Sequence, residues 1–448
     1  MNGHVRILHY NENAAAIIAS GGRISTMNGT AEEIYAKSTS VPEEKNVNLI
    51  GKVLSSGHNS VLEHASVNLA FENVSVFVEQ FIIEFRLASF TVKSRRYVDF
   101  SQVGYYTPDF SACPKAEPIF NHAVQSLFGV YDRLCEAGVP KEDARFVLPY
   151  CFASNFFCTM NCRELVHVMN EMVYGRGAKY PEIRALGESL FSQCEKELPY
   201  LAVRKPADYE KPELAIPAGQ PLRPEAEVTV LAATPKAETV ICNAALARYG
   251  YAPRDFSDTE TKEILKTLLA QNRKRELEQA SYTLLYRGLS LAALTHLTRH
   301  RMQSLVAPVL LDCADDSAYV LPQTVIDCGM EKPYRDAFAL AAKAKAELAE
   351  AGLGREDLNY LLLSGLTVPV VCTMNAGELY TYLRLRTCNR AQWEIRQAAT
   401  AALKALRQTA PVLFSFYGPT CFVTGKCPEG KMCCGKSKEV FERFSGSL

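Results

Sequence analysis

The chain has 448 residues, of which 48% are hydrophobic, with 49 basic and 49 acidic side chains. The zero formal charge argues against nucleic-acid binding through bulk charge, which needs a basic excess. No apolar run reaches the ~20 residues of a membrane span. The length exceeds a usual single core and predicts two domains of about 200 residues. The 15 cysteines are an odd number, and many sit in apolar segments such as PYCFASNFFCTMNC. That usage suits reduced thiols in a cytoplasmic core better than a disulfide framework.

Taken in chain order, VRILHY predicts a strand with a helix after it, and the N-terminus does not read as a signal peptide. KNVNLIGKVLSSG predicts a second helix, and SVNLAFENVSVFV a strand passing into a helix. Ser94-Arg95-Arg96-Tyr97 follow the loop-like LASFTVK, and Arg145 lies in GVPKEDARFVLP, where a proline marks a helix start. A serine hydroxyl beside arginines suits a phosphate, with plain surface as the alternative. Val203 to Glu227 carries five prolines and reads as a stiff, extended linker.

VTVLAAT then opens a second series, with a helix at ETKEILKTLLAQ and a strand-to-helix run at SYTLLYRGLSLAA. If LSLAALTHLT is helical throughout, Leu294, Leu297 and Arg301 share a face. Arg299, His300 and Arg301 there either face an anion or form a solvated basic helix end. ALAAKAKAELAEAG and GELYTYLRLRT predict long helices. Arg386 falls on the stripe of Leu379, Tyr382 and Leu383, so its guanidinium needs an anionic or carbonyl partner, or an internal salt bridge. In the tail, Cys421, Cys427 and Cys433 are spaced by six, with Cys434 adjacent. They suit Zn²⁺ or an iron–sulfur cluster, or are reduced thiols in a flexible tail.

The two series are copies. CTMNCREL from Cys158 and CTMNAGEL from Cys372 agree at six of eight positions. LEHAS from Leu62 matches LEQAS from Leu277, and Phe85-Arg86 falls opposite His300-Arg301. Each copy mixes strands and helices, so the fold class is α+β, seen twice.

These residues resemble the flavin-dependent thymidylate synthase family, whose motif runs RHRxxSxNExSxRY. The second copy has its start, RHRMQS from Arg299, and the first has its end, RLASFTVKSRRY from Arg86. The resemblance extends to RIS at Arg23, GHNSVLEH at Gly57, GVPKEDARFVLP at Gly138, LRLR ending at Arg386 and AQWEIRQ at Ala391. It implies FAD held by Arg299, His300 and Arg301, with Ser60, Glu63, Asn161 and Asn375 near the flavin. It implies a pyrimidine nucleotide held by Ser94, Arg95, Arg96, Arg145, His296 and Arg299. Arg386 is the implied catalytic arginine. The implied reaction is reductive methylation of dUMP, with methylenetetrahydrofolate and NADPH as co-substrates. The motif's Asn-Glu pair is replaced by Thr91-Val92 and by Val306-Ala307. That keeps open a related one-carbon transfer to another pyrimidine nucleotide, or a binding protein without turnover.

The expected layout is a first copy over 1–202, a linker over 203–227, a second copy over 228–418 and a Cys-rich tail over 419–448, with the two copies forming a pseudo-dimer. The copies keep complementary parts of the motif set. That pattern predicts one competent site per chain and a homodimer standing in for the family's tetramer.

Overall fold

The computed structural model describes residues 3–100, 103–210, 227–306 and 308–446. Val5 and Ile7 alternate with exposed neighbours in β1 (His4–Tyr10), the period-2 pattern of a half-buried strand. With β2 (Ser66–Ser75), β3 (Ala88–Val92) and β4 (Ala153–Asn161) it forms an antiparallel sheet of order β1-β2-β4-β3. The second series gives β5 (Val228–Ala233), β6 (Ser281–Ser290), β7 (Gln303–Val306) and β8 (Thr367–Asn375), in the order β5-β6-β8-β7. Register is repeated too: Ser66 faces Asn161 in one sheet, and Ser281 faces Asn375 in the other. Both central strands bulge at the same place, between Phe71 and Val74 and between Tyr286 and Leu289. The duplication read from short identities is therefore a duplication of strand pairing, with the mixed α+β content of each copy as expected.

The chain divides into two compact units: unit 1, Met1–Ala218 with Pro322–Ser364, and unit 2, Gly219–Leu321 with Gly365–Leu448. The division cuts across the sequence repeat. The helix Glu331–Glu350 comes from the second copy but belongs to unit 1, where it packs on the helix Ala116–Glu136. Its buried stripe is Tyr334, Ala337, Phe338, Ala341, Ala344 and Leu348, at helical spacing and rich in alanine. The small side chains let the neighbouring helix approach closely. The backbone continues the join within this unit, where Tyr150 N–H donates to the Leu362 carbonyl at 2.9 Å and Ser364 N–H to that of Leu148 at 3.0 Å.

The start of the proline-rich segment is docked rather than extended. Asn170 bonds the Val203 carbonyl at 2.8 Å and the Lys205 N–H at 2.7 Å, and Arg204 lies over the Phe191 ring. Residues 211–226 of the expected linker lie outside the described residues. The first copy's helix Cys162–Val173 has 12 residues and its counterpart Ala376–Arg386 has 11. No described helix is long and apolar enough to cross a membrane.

One turn is built identically in both units. At the end of β2, Ser75 Oγ accepts the Val78 N–H and starts the helix Val76–Ile83. Glu182 holds the same serine twice, accepting its N–H at 2.8 Å and its hydroxyl at 2.6 Å. At the end of β6, Ser290 caps the helix Leu291–Leu297, and Glu394 accepts its N–H at 2.7 Å and its hydroxyl. Both serines are fully buried. Ser75→Ala and Ser290→Ala should each cost about 1–3 kcal/mol, because a helix cap is lost and a buried carboxylate oxygen loses its donor. Urea unfolding of the single variants checks this. A stability equal to wild type in both would contradict the clamp.

Candidate active site

In unit 2, β8 ends at Asn375, whose side-chain oxygen accepts the Glu378 N–H at 2.8 Å and starts the helix Ala376–Arg386. Leu379, Tyr382 and Leu383 are buried on that helix, and Arg386 continues their stripe, as its spacing predicts. Arg386 Nε donates to His300 Nε2 at 3.0 Å, and Nη2 donates to the His296 carbonyl at 3.1 Å. A guanidinium has donors only, so His300 Nε2 must be the acceptor and the ring proton must sit on Nδ1. Nδ1 faces Glu378 Oε1 at 3.2 Å, which takes that proton as a hydrogen bond. Asn375, Glu378, His300 and Arg386 thus form one ordered chain of contacts.

His300 is 5% exposed. Burial, with the Arg386 charge adding to it, holds its pKa below the usual imidazole value, while Glu378 opposes the shift. The Tyr382 ring packs edge-on against the imidazole at 5.0 Å, and its hydroxyl meets that of Tyr286 at 3.1 Å. The helix carrying His296 ends at Leu297, so Arg299 to Arg301 do not continue it. They lie in a turn before β7, with Arg299 and Arg301 exposed on either side of the buried His300. The expectation that Arg301 shares a helix face with Leu294 is corrected accordingly. Two exposed guanidiniums make a donor set that fits an anionic ligand with a planar, polar ring, such as a flavin nucleotide.

Of the residues expected to meet the nucleotide, unit 1 holds Ser94, Arg95, Arg96 and Arg145, while His296 and Arg299 lie in unit 2. Arg95 is buried and paired with Glu79, which Ser154 also bonds, and it lies over the Phe152 ring. Arg95 therefore serves an internal ion pair. Arg96 and Arg145 converge on Glu142: Arg96 Nε meets its carboxylate at 2.6 Å, and Arg145 Nε donates to its carbonyl at 3.1 Å. Ser94 is exposed and its hydroxyl oxygen accepts the Arg96 N–H. Asn359, from the second copy, repeats Arg145's contact by donating to the Glu356 carbonyl at 2.8 Å. Ser60 and Glu63 lie on the short turn Asn59–His64, with Glu63 paired to Arg163. Asn161 caps the helix Cys162–Val173 just as Asn375 caps its own, so the amide NH₂ is the part of each side chain left to reach a flavin.

The counterpart of the Arg386 site in unit 1 is apolar at its two decisive positions. Phe85 stands where His300 is and Met172 where Arg386 is, and both are buried. Glu164 keeps the place of Glu378 and borders a 370 Å³ pocket with His167, Glu84 and Arg176. Burial pushes its carboxyl upward.

Spacing arguments missed Glu378, Glu79, Glu142 and Glu394. Glu378 had a signal, since it is one of the identities between CTMNCREL and CTMNAGEL. Glu79 had one too, as the lone charge in VFVEQFII. Among the described residues, no group of three or more His, Cys, Asp or Glu side chains is closed around a metal position.

The family profile described as thymidylate synthase complementing protein matches twice, over residues 6–200 and 229–412. The chain belongs to that family. It is similar to the flavin-dependent thymidylate synthase of Geobacter sulfurreducens, with 32% identity over 227 residues, 49% of this chain and 97% of the relative. The enzyme of the same name from Clostridium tetani is 30% identical over 242 residues, 48% of this chain and 95% of its own. That of Nitratidesulfovibrio vulgaris is 37% identical over 180 residues, 38% of this chain and 73% of its own. A crystal structure of a UMP/dUMP methylase from Streptomyces cacaoi aligns with a TM-score of 0.39 and 22% identity, over 45% of this chain and 93% of that one. Relatives that match over nearly their whole length cover only half of this chain, as a tandem duplication requires.

The neutral state of His300 makes a pH prediction. A lowered imidazole pKa leaves stability intact above the ordinary value of 6.5 and removes it as the pH falls from there toward the folded value. Between pH 7 and pH 5, wild-type protein should lose more thermal stability than His300→Gln, which can keep one donor and one acceptor. Parallel pH profiles for the two proteins would contradict the assignment.

Proposed function

We propose that the chain carries out FAD-dependent reductive methylation of dUMP, with methylenetetrahydrofolate as carbon donor and NADPH as reductant. That it is an enzyme of the methyltransferase type follows from its family. The substrates and the residue roles are the reading offered here. The observation that carries it is the Asn375–Glu378–His300–Arg386 chain in unit 2, which holds a guanidinium in one orientation before any ligand arrives.

Bound FAD would supply the hydride, chemistry that no side chain can provide. The protein's own part is positioning and charge. Arg299 and Arg301 take the flavin's anionic and polar edge, while Ser94, Arg96 and Arg145 take the nucleotide phosphate. Arg386 stabilises negative charge on the uracil as its C5 becomes nucleophilic. His300, held neutral, fixes Arg386 without competing as a cation. We assign one flavin per chain, because the His300 and Arg386 positions of unit 1 carry Phe85 and Met172, and we assign a homodimer as the assembly. A second reading, transfer to another pyrimidine nucleotide, is favoured by Thr91-Val92 and Val306-Ala307 where the family has Asn-Glu.

Purified protein should carry flavin absorbance at one equivalent per chain and convert deoxyuridylate to thymidylate. Arg386→Ala should lower kcat by about 10²–10³ while retaining flavin, the usual cost of removing one charge-stabilising donor. Arg301→Ala should instead weaken flavin retention. Protein that cannot be loaded with flavin would overturn the proposal. Flavin-loaded protein that turns over only another nucleotide would establish the second reading.

A further inference from the structure

A 550 Å³ pocket in unit 2 is lined by the end of the helix Ala237–Arg248 and by the short turn Arg275–Gln279 that packs on it. Three arginines, Arg248, Arg273 and Arg275, face it against one acid, Glu276. Arg248 Nη1 meets Glu276 Oε1 at 2.9 Å. Arg275 Nη1 meets Glu278, outside the lining, at 2.8 Å in an exposed pair. Among the described residues, Arg273 has neither a hydrogen-bond nor an ion-pair partner. Glu276 is only 6% exposed, yet its second oxygen has no donor. The pocket therefore has guanidinium donors to spare at its rim and one acceptor to spare on its floor.

The other side of the turn adds positive charge. Lys274 Nζ lies 5.6 Å from the centre of the Tyr380 ring, and the Arg384 guanidinium lies 5.1 Å from it. Two cations thus share one ring, and Arg384 Nε is buried without an acceptor. Burial holds the Lys274 ammonium below its usual range, and the Arg384 charge adds to the shift. Like charges this close repel one another, so the cluster costs stability until an anion completes it. The repeat shows what changed. The match of LEHAS with LEQAS sets His58, Asn59 and Ser60 of the first copy opposite Arg273, Lys274 and Arg275 of the second. Three consecutive positions have become cations in a chain whose formal charge is zero.

We propose that this pocket binds a phosphate monoester that also carries a sugar hydroxyl, the class to which nucleotides belong. Three arginines against one acid leave two positive charges in the lining, which a phosphate dianion neutralises. Arg273 and Arg275 take the phosphate oxygens in forked, charge-assisted bonds. Glu276 takes the hydroxyl through its unpaired oxygen, as a carboxylate takes a ribose hydroxyl in dinucleotide sites. A single carboxylate on the ligand would need one guanidinium, so the excess of arginine favours phosphate. The volume falls in the range of small-molecule sites. All of these residues belong to unit 2, and neither Arg386 nor His300 takes part.

The test is calorimetric titration of the full-length protein with ribose 5-phosphate, which has the phosphate and hydroxyls but no base. One equivalent per chain should bind, and Arg96→Ala, in unit 1, should leave that binding in place. Arg273→Ala and Arg275→Ala should each weaken it about tenfold or more, the cost of one charge-assisted bond. Arg273→Ala should unfold in urea at the wild-type midpoint or above it, because its side chain has no partner to lose, so weaker binding there is not a folding defect. Glu276→Gln should weaken ribose 5-phosphate more than inorganic phosphate. Absence of binding would overturn the site, as would binding that survives the double variant Arg273→Ala/Arg275→Ala. Inorganic phosphate bound as tightly as ribose 5-phosphate would mean an adventitious ion only, and would overturn it too. Calorimetry reads binding and not turnover, so the site can fail while the proposed reaction stands, and the reverse.

Discussion

The approach of His296 and His300 to Arg386 in unit 2 starts from a buried carboxylate, Glu394. Burying a carboxylate costs several kcal/mol unless each oxygen finds a donor. Glu394 meets that condition with the N–H and hydroxyl of one residue, Ser290. The two bonds fix where the backbone leaves β6 and enters the helix Leu291–Leu297. That helix delivers the His296 carbonyl to Arg386 and, past its end, the His300 ring to the same guanidinium. Unit 1 has the same clamp between Glu182 and Ser75, where burial pushes the carboxyl up to about 7. A raised carboxyl pKa favours the folded state below the ordinary range, and that advantage fades as the pH rises through 7.

The clamp also explains how the two copies could diverge so far at one position while keeping the same frame. The Glu–Ser turn, the strand register and the asparagine cap need neither His300 nor Arg386. In unit 1 both have given way to buried Phe85 and Met172. Losing His300 alone would take from a half-buried guanidinium one of its acceptors, and losing Arg386 alone would leave the buried imidazole Nε2 without that donor. Joint replacement by apolar residues removes the donor and the acceptor of that contact together. Glu164 survives in unit 1 at the edge of a pocket that also holds His167 and Arg176, so its charge has other neighbours.

What the sequence disclosed follows from the range of the interactions. Strand alternation in VRILHY and the apolar stripe ending at Arg386 are local, and both were legible. So was the duplication, because identical short segments fold to identical pairings. The partners of Arg386 were not, since His300 is 86 residues away and spacing carries no sign of that contact. The extent of the helix after β6 was overestimated, because LTRHR continues a helical pattern and nothing local stops it at Leu297. The place of Glu331–Glu350 in unit 1 was hidden for a similar reason. An alanine-rich stripe declares that something packs closely on it without saying what. Arg95 read as a ligand residue because its acid, Glu79, lies 16 positions earlier in an apolar helix.

The three arginines with the clearest surroundings differ in what they have left to offer a ligand. Arg95 faces the buried carboxylate of Glu79, and each charge is spent on the other. Arg96 meets Glu142 at the edge of unit 1, where side chains are part-exposed and an arriving phosphate can compete for the guanidinium. Arg386 is fixed by an imidazole nitrogen and a peptide carbonyl, both neutral acceptors. They orient the guanidinium plane through two of its five N–H donors. The acid of that cluster, Glu378, sits one group further back, behind His300. From there it holds the imidazole proton on Nδ1 and keeps Nε2 turned to Arg386. The acid thus orients Arg386 through a neutral imidazole, and a guanidinium held in place beforehand needs no reorganisation when negative charge develops beside it.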